Sequence, residues 1–139
     1  MKSTMPYFAF LILSALVCLV GCKQPVAKEL QKSPQNLVAI RKAYLKATAR
    51  LGAPPRTLDQ MSAELKEQGD PDTLLRSPED NEKYVIHFGA VADANPAQVI
   101  AYEKVGKEGK RYVLFGHIVW FMTDDELKSK KFPAGYSAP

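Results

Sequence analysis

Two thiols, two imidazoles and one acidic stretch are the groups of this 139-residue chain whose chemistry could reach beyond packing. Cys22 is the most constrained of them. It closes Leu19-Val20-Gly21-Cys22, at the end of an uncharged apolar run from Tyr7 to Val20, with Lys2 before the run and Lys23-Gln24-Pro25 after it. A charged start, a short apolar core and small residues at its end describe a processed export signal. The run is shorter than the roughly 20 residues a transmembrane helix needs. An ordinary secretory signal with a chance cysteine, and an uncleaved anchor helix, are the other readings. If cleavage falls before Cys22, Cys18 leaves with the signal, and no disulfide or cysteine-based metal site can form in what remains. His87 and His117 would need a third ligand at a separation that sequence does not display. Asp70, Asp72, Glu79, Asp80 and Glu82 are hard oxygen donors on turns, but their spacing matches no calcium loop. Ser62 and Ser77 stand in helix and turn contexts, and the chain holds no Gly-Xaa-Ser-Xaa-Gly elbow, Gly-rich phosphate loop or paired-cysteine motif. No catalytic residue, metal site or cofactor is expected, so the chain reads as a non-enzyme.

The elements that would position these groups follow from periodicity. Ser33-Pro34 offers an N-cap and a first-turn proline. Leu37, Ile40, Tyr44, Ala47 and Leu51 then recur at steps of three or four, which predicts an amphipathic helix of about five turns. Gly52 and Pro54-Pro55 end it. Thr57 to Gln60 matches a capping box before a short helix that stops near Gly69. Gly69 to Asp72 and Ser77 to Asn81 are turns. From Tyr84 the period becomes two. Strands are expected at residues 84–88, 99–103, 112–115 and 118–121, with a loop from Gly89 to Gln98 and a two-residue hairpin turn at Gly116-His117. Thr123 to Glu126 is a second capping box, opening a short last helix that Phe132-Pro133 ends. The fold class is α+β: a long N-terminal helix packed on a small antiparallel sheet of about four strands, with short helices before and after it. Residues 1–21 form the cleaved signal, 22–33 a polar tether, 34–131 the folded head and 132–139 a loose tail.

The last hairpin divides into two apolar sets. Pairing across Gly116-His117 puts Val113, Phe115, Ile118 and Trp120 on one face, and Tyr112, Leu114, Val119 and Phe121 on the other. The first set, free of hydroxyls, is expected against the long helix near Ile40, Tyr44 or Ala47. The second is then covered by the terminal helix and tail, or is a binding surface for a protein partner.

Two resemblances add to this. The residues Leu19 to Cys22 resemble the lipobox of bacterial lipoproteins. That likeness implies a diacylglyceryl group on the Cys22 sulfur, cleavage before it and acylation of the new amino group. A triacylated Cys22 would stay on the membrane, since two acyl chains already anchor stably. Lys23 stands where inner-membrane retention in some bacteria favours Asp, so the outer membrane is favoured, with the domain outside the cytoplasm.

From Pro54 to about Lys131 the chain also resembles the head domain of type II secretion pseudopilins and other pilin-like proteins. The residues that carry it are Pro54 to Leu58, Gly69 to Asp72, Leu75 to Pro78, Ala101 to Lys104, Val113 to Phe115, Gly116-His117 and Thr123 to Leu127. It implies a long helix lying on an antiparallel sheet, with residues 33–51 as its soluble half. In that group the apolar helix is retained and carries a Glu near its start. Here the apolar run precedes Cys22 and holds no Glu, and the tail from Phe132 holds no acid. Neither polymerisation nor calcium binding is therefore carried over.

The net charge of +4 is modest and spread out, with Lys128, Lys130 and Lys131 the only late cluster. A nucleic-acid surface would show a basic stripe with interleaved aromatics, and none is present. The expected role is a membrane-tethered envelope lipoprotein acting by protein contact, in the setting of a secretion or pilus-related assembly. The rival is a small-ligand or ion-binding lipoprotein using residues 89–98 and the acidic turns.

Overall fold

The computed structural model describes residues 32–139. Cys22, the apolar run before it and the tether up to residue 31 lie outside the described residues. Helix α1 spans Lys32–Leu51, and its apolar positions Leu37, Ile40, Ala43, Tyr44 and Ala47 form one buried stripe. Gly52, at φ 71°, takes the left-handed conformation that ends a helix at low steric cost. A 3₁₀ turn, Asp59–Met61, leads into α2, Ser62–Gln68, which brings Met61 and Leu65 to the same core as α1. Arg50 Nε bonds Glu64 Oε1 at 2.6 Å across the two helices. The Thr57 capping box does not form. Gln60 Oε1 instead accepts the backbone N–H of Arg56 at 2.6 Å, and no side chain caps the 3₁₀ turn. The turn expected at Gly69 to Asp72 holds a further helical turn, α3 (Pro71–Leu74), with Asp70 as its cap on the Thr73 N–H at 3.0 Å.

The sheet is four antiparallel strands in sequence order: β1 Val85–Ile86, β2 Val99–Tyr102, β3 Lys110–Phe115 and β4 Ile118–Thr123. Helix α4, Asp124–Lys128, follows β4 directly and opens on a complete capping box between Thr123 and Glu126. The fold is thus α+β, with helices before and after a four-stranded antiparallel sheet. The hairpin pairs Phe115 with Ile118, Leu114 with Val119, Val113 with Trp120 and Tyr112 with Phe121, the register expected for a two-residue turn. Gly116 sits at φ 56°, a conformation that favours glycine, and a Cβ there would make a tight 3.2 Å approach to Ala97.

The faces of the sheet are the reverse of those expected. Tyr112 and Leu114, with Val119 at the margin, lie under α1 beside Leu37, Ile40, Tyr44 and Ala101. Val113 lies on the opposite face with Val99, Tyr102, Met122 and Leu127, where α4, Phe115 and Phe132 cover it. Trp120 is 54% exposed. Parity correctly sorted the two sets but could not choose between them, because both are apolar. The choice is made elsewhere in the chain. Ala43 and Ala47 let α1 approach the sheet closely, and Tyr44 fills the interface itself, its hydroxyl donating to the Ala90 carbonyl at 3.0 Å. On the other face α4 is only five residues long. It covers Met122 and Val113 but stops short of Ile118 and Trp120.

A buried carboxylate joins α1 to this sheet. Glu103, 1% exposed, follows β2 and accepts at Oε1 from Ser33 Oγ and, at 2.8 Å, from Ser77 Oγ. Its Oε2 accepts the Tyr112 N–H at 2.7 Å. The Tyr84 hydroxyl lies 2.7 Å from Ser33 Oγ. Ser33 was expected to cap α1, but it stands inside the helix and its hydroxyl serves this cluster. The tail also packs along part of its length, with Phe132 against the second core cluster and Tyr136 against His87.

Replacing Leu114 and Trp120 separately by Ala tests the face assignment in dilute solution. Leu114→Ala is expected to cost about 3 kcal/mol, the middle of the range for emptying a buried aliphatic site. Trp120→Ala should cost under about 1 kcal/mol, as for an exposed position. Urea unfolding measures both, and the opposite ranking would restore the first assignment.

Candidate functional site

The residues singled out by sequence as a contact surface separate in the structure. Tyr112 is 8% exposed and Leu114 is fully buried, so neither can meet a partner. Val119 is half-buried at the edge of the same cluster. Only Phe121 remains open, 50% exposed with its ring 4.6 Å from that of Tyr112. The apolar surface of the hairpin is instead made by Ile118 (56% exposed) and Trp120 on the α4 side of β4, with Phe121 on the α1 side. Sequence reasoning placed Ile118 and Trp120 in the core. The signal that could have found them was position: they stand on the last strand, beyond the reach of a short final helix.

Beneath this surface the turn is fastened on both sides. Arg41 Nη1 from α1 donates to the His117 carbonyl. The His117 ring pairs with Asp93 Oδ1 at 2.5 Å, which draws the loop of residues 89–98 onto the hairpin. In that loop the Val91 N–H donates to Gln98 Oε1 at 3.0 Å, and the Asn95–Pro96 bond is cis. At the other end of β4, Arg111 reaches from β3 to Asp124 at 2.7 Å and donates to the carbonyls of Glu103 and Lys104. Arg111 thereby clamps α4 to the sheet.

The acidic stretch has local structural partners. Asp80 accepts the backbone N–H groups of Glu82, Val105 and Gly106, which hold its carboxyl below the usual carboxylate range despite partial burial. Asp70 caps α3 and is likewise held low, first by the Thr73 hydroxyl. Glu82 pairs with Lys104 at 3.3 Å. Among the described residues no group of three or more His, Asp or Glu side chains converges as a metal site would need.

A surface groove of about 520 Å³ runs between the start of α1, α3 and the turn after Ser77. It is open to solvent, and most of the residues that line it are of polar type. Its Asn36 amide already donates to the Thr73 and Arg76 carbonyls, and Arg76 donates to that of Asn81. Among the described residues no helix is long and apolar enough to cross a membrane. Comparison with protein-family models, curated proteins and solved structures finds nothing that matches this chain.

His87 is the buried group without an evident polar role. It is 2% exposed, neither ring nitrogen has a hydrogen-bond partner among the described residues, and the rings of Tyr102, Phe132 and Tyr136 surround it. Burial holds the imidazole neutral, its pKa pushed down from 6.5 to about 4. The folded form therefore takes up this proton less readily than the unfolded chain. Stability is complete above about pH 6.5 and is lost as the pH falls towards 4. Between pH 7 and pH 5 the wild type should lose about 2 kcal/mol more than His87→Phe, whose ring suits the aromatic surroundings. Urea midpoints at the two pH values measure the difference. Equal losses would show that the imidazolium finds a partner.

Proposed function

We propose that this chain is a membrane-tethered lipoprotein of the bacterial cell envelope, a non-enzyme whose pilin-like head acts by protein–protein contact outside the cytoplasm. The observation that carries the reading is Leu19-Val20-Gly21-Cys22, standing after Lys2 and an uncharged apolar run and before a polar segment. Acyl chains on Cys22 are the membrane contact, and Lys23 favours the outer membrane. Helix α1 opens at Lys32, leaving residues 22–31 between it and the anchor. In this reading α1 corresponds to the soluble half of the long helix that pilin-like heads carry. The partner belongs to the envelope, in a secretion or pilus-related assembly. The contact role draws support from β4, which carries Ile118, Trp120 and Phe121 at half exposure or more. A second reading, a small polar ligand held by the head, draws on the groove beside α3, whose volume of about 520 Å³ falls within the usual range for ligand pockets.

The anchor is tested by metabolic labelling with a fatty acid and by membrane fractionation. The wild-type chain should take up label and sediment with membranes. Cys22→Ser should lose at least about nine-tenths of the label and accumulate as a precursor or a soluble form, because two acyl chains supply the stable attachment. Equal labelling of the two chains would overturn the proposal.

A further inference from the structure

The imidazole of His87 is packed under the end of the chain. Its ring centre lies 5.4 Å from that of Tyr102, 5.3 Å from that of Phe132 and 4.5 Å from that of Tyr136. The backbone at His87 is fixed. Its N–H donates to the Ile100 carbonyl at 2.7 Å, and its own carbonyl faces the Tyr44 hydroxyl at 3.5 Å. Tyr102 is fixed as well, in β2 between Val85 of β1 and Val113 of β3. The cover from Phe132 and Tyr136 is of another kind, because it belongs to no helix or strand. The tail leaves the end of α4, and the Lys131 carbonyl accepts the Val99 N–H at 2.9 Å. Beyond that bond the tail bonds only to itself along the described backbone, Tyr136 N–H to the Pro133 carbonyl at 3.1 Å. What presses it onto the sheet is the packing of Phe132, Pro133 and Tyr136, the last still 41% exposed.

A buried polar ring whose two nitrogens lack partners carries a standing cost that water would remove. Water reaches this ring with least disruption if the tail lifts, since Tyr102 can move only with the middle of the sheet. We propose that residues 131–136 form an acid-released strap: protonation of His87 frees the tail and uncovers the imidazole beside Tyr102, while α1 and the sheet stay assembled. The hinge is the end of α4, where the last helical bonds stop short of Lys131.

The groups around the ring leave a charge on it unpaired. Tyr102 from β2 and Tyr136 from the tail are the titratable side chains against it. Strand β1 brings only Val85 and Ile86. Arg111 from β3 lies over the Tyr102 ring, 5.7 Å from its centre, and is tied to Asp124 of α4 at 2.7 Å. Among the described residues no carboxylate bonds to the imidazole. With the strap closed, burial holds the pKa at about 4, and release returns the ring to water and its ordinary value of 6.5. The closed form is therefore favoured in full above about pH 6.5 and loses ground as the pH falls towards 4. The ratio of released to closed chains should rise about 20-fold between pH 7 and pH 5. The device requires neither the anchor nor a partner for the head.

The test is amide exchange by NMR on the full chain in mild detergent, corrected for the intrinsic rate at each pH. The Val99 N–H reports the tail through its bond to Lys131. The Glu103 N–H, bonded to the Tyr112 carbonyl at 3.1 Å, reports the sheet. At pH 5 the Val99 amide should show a larger opening constant than that of Glu103, and one about 20-fold above its own value at pH 7. His87→Phe, which keeps an aromatic ring but takes up no proton, should remove that rise. Tyr136→Ala should raise the Val99 opening constant at pH 7 about tenfold by deleting the ring contact nearest His87. Equal opening constants at the two amides at pH 5 would make the acid effect global and overturn the strap. So would an undiminished acid response in His87→Phe, or a Val99 amide untouched by Tyr136→Ala.

Discussion

Among the described residues no cationic side chain pairs with the buried carboxylate of Glu103, and its donors come from three separate parts of the chain. Ser33 belongs to α1, Ser77 to the turn before β1, and the Tyr112 N–H to β3. Burying a carboxylate costs several kcal/mol unless hydrogen bonds replace its water. The fold keeps this charge only if α1, the turn and β3 are assembled together around it. Arg111 is close, but it donates to the Glu103 carbonyl and spends its ion pair on Asp124. One acidic side chain therefore specifies where the helix starts on the sheet, and the arginine beside it specifies where the last helix returns.

The exposed surface of β4 follows from that placement. With α1 fastened on the Glu103 side, Tyr112 and Leu114 become core, and Val113 with its neighbours is left to α4 and Phe132. Helix α4 is too short to shield the whole of β4. Ile118, Trp120 and Phe121 stay exposed on a strand whose outer backbone is unpaired among the described residues. The contact role proposed for the head thus rests on geometry set by a buried acid some distance away. The contact of the His117 ring with Asp93 and the bond from Arg41 stiffen the same hairpin from beneath.

What was legible in the chain was local. The hairpin register follows from two turn residues, and the Thr123 box from a three-residue spacing, so both can be read without knowing the tertiary structure. The α1 stripe is likewise written in one short repeat. The Thr57 box shares that local pattern but fails, because Gln60 has a better use at the Arg56 N–H. The choice of sheet face was not legible. It depends on Glu103 meeting Ser33, 70 residues apart in sequence, and on the small side chains of Ala43 and Ala47. A register shift between Val99 and Ala101 also breaks the period-two rule, so that Ile100 and Ala101 both enter the α1 cluster. Tyr112 and Leu114 of the expected contact set enter the core for the same reason, while Phe121 of that set stays exposed. Cys22 lies outside the described residues, and its reading rests on the local pattern alone.

Native-state hydrogen exchange, followed residue by residue, tests the central role of Glu103 most directly. If its carboxylate makes one unit of α1 and the sheet, the amides of Leu37, Ile40 and Tyr44 should exchange at the same free energy as that of Leu114. Glu103→Ala should then lower all four together by roughly 3 kcal/mol, the cost of stranding buried donors of a charged acceptor. An α1 that opens by itself at lower free energy, with Leu114 unchanged by the substitution, would contradict the account.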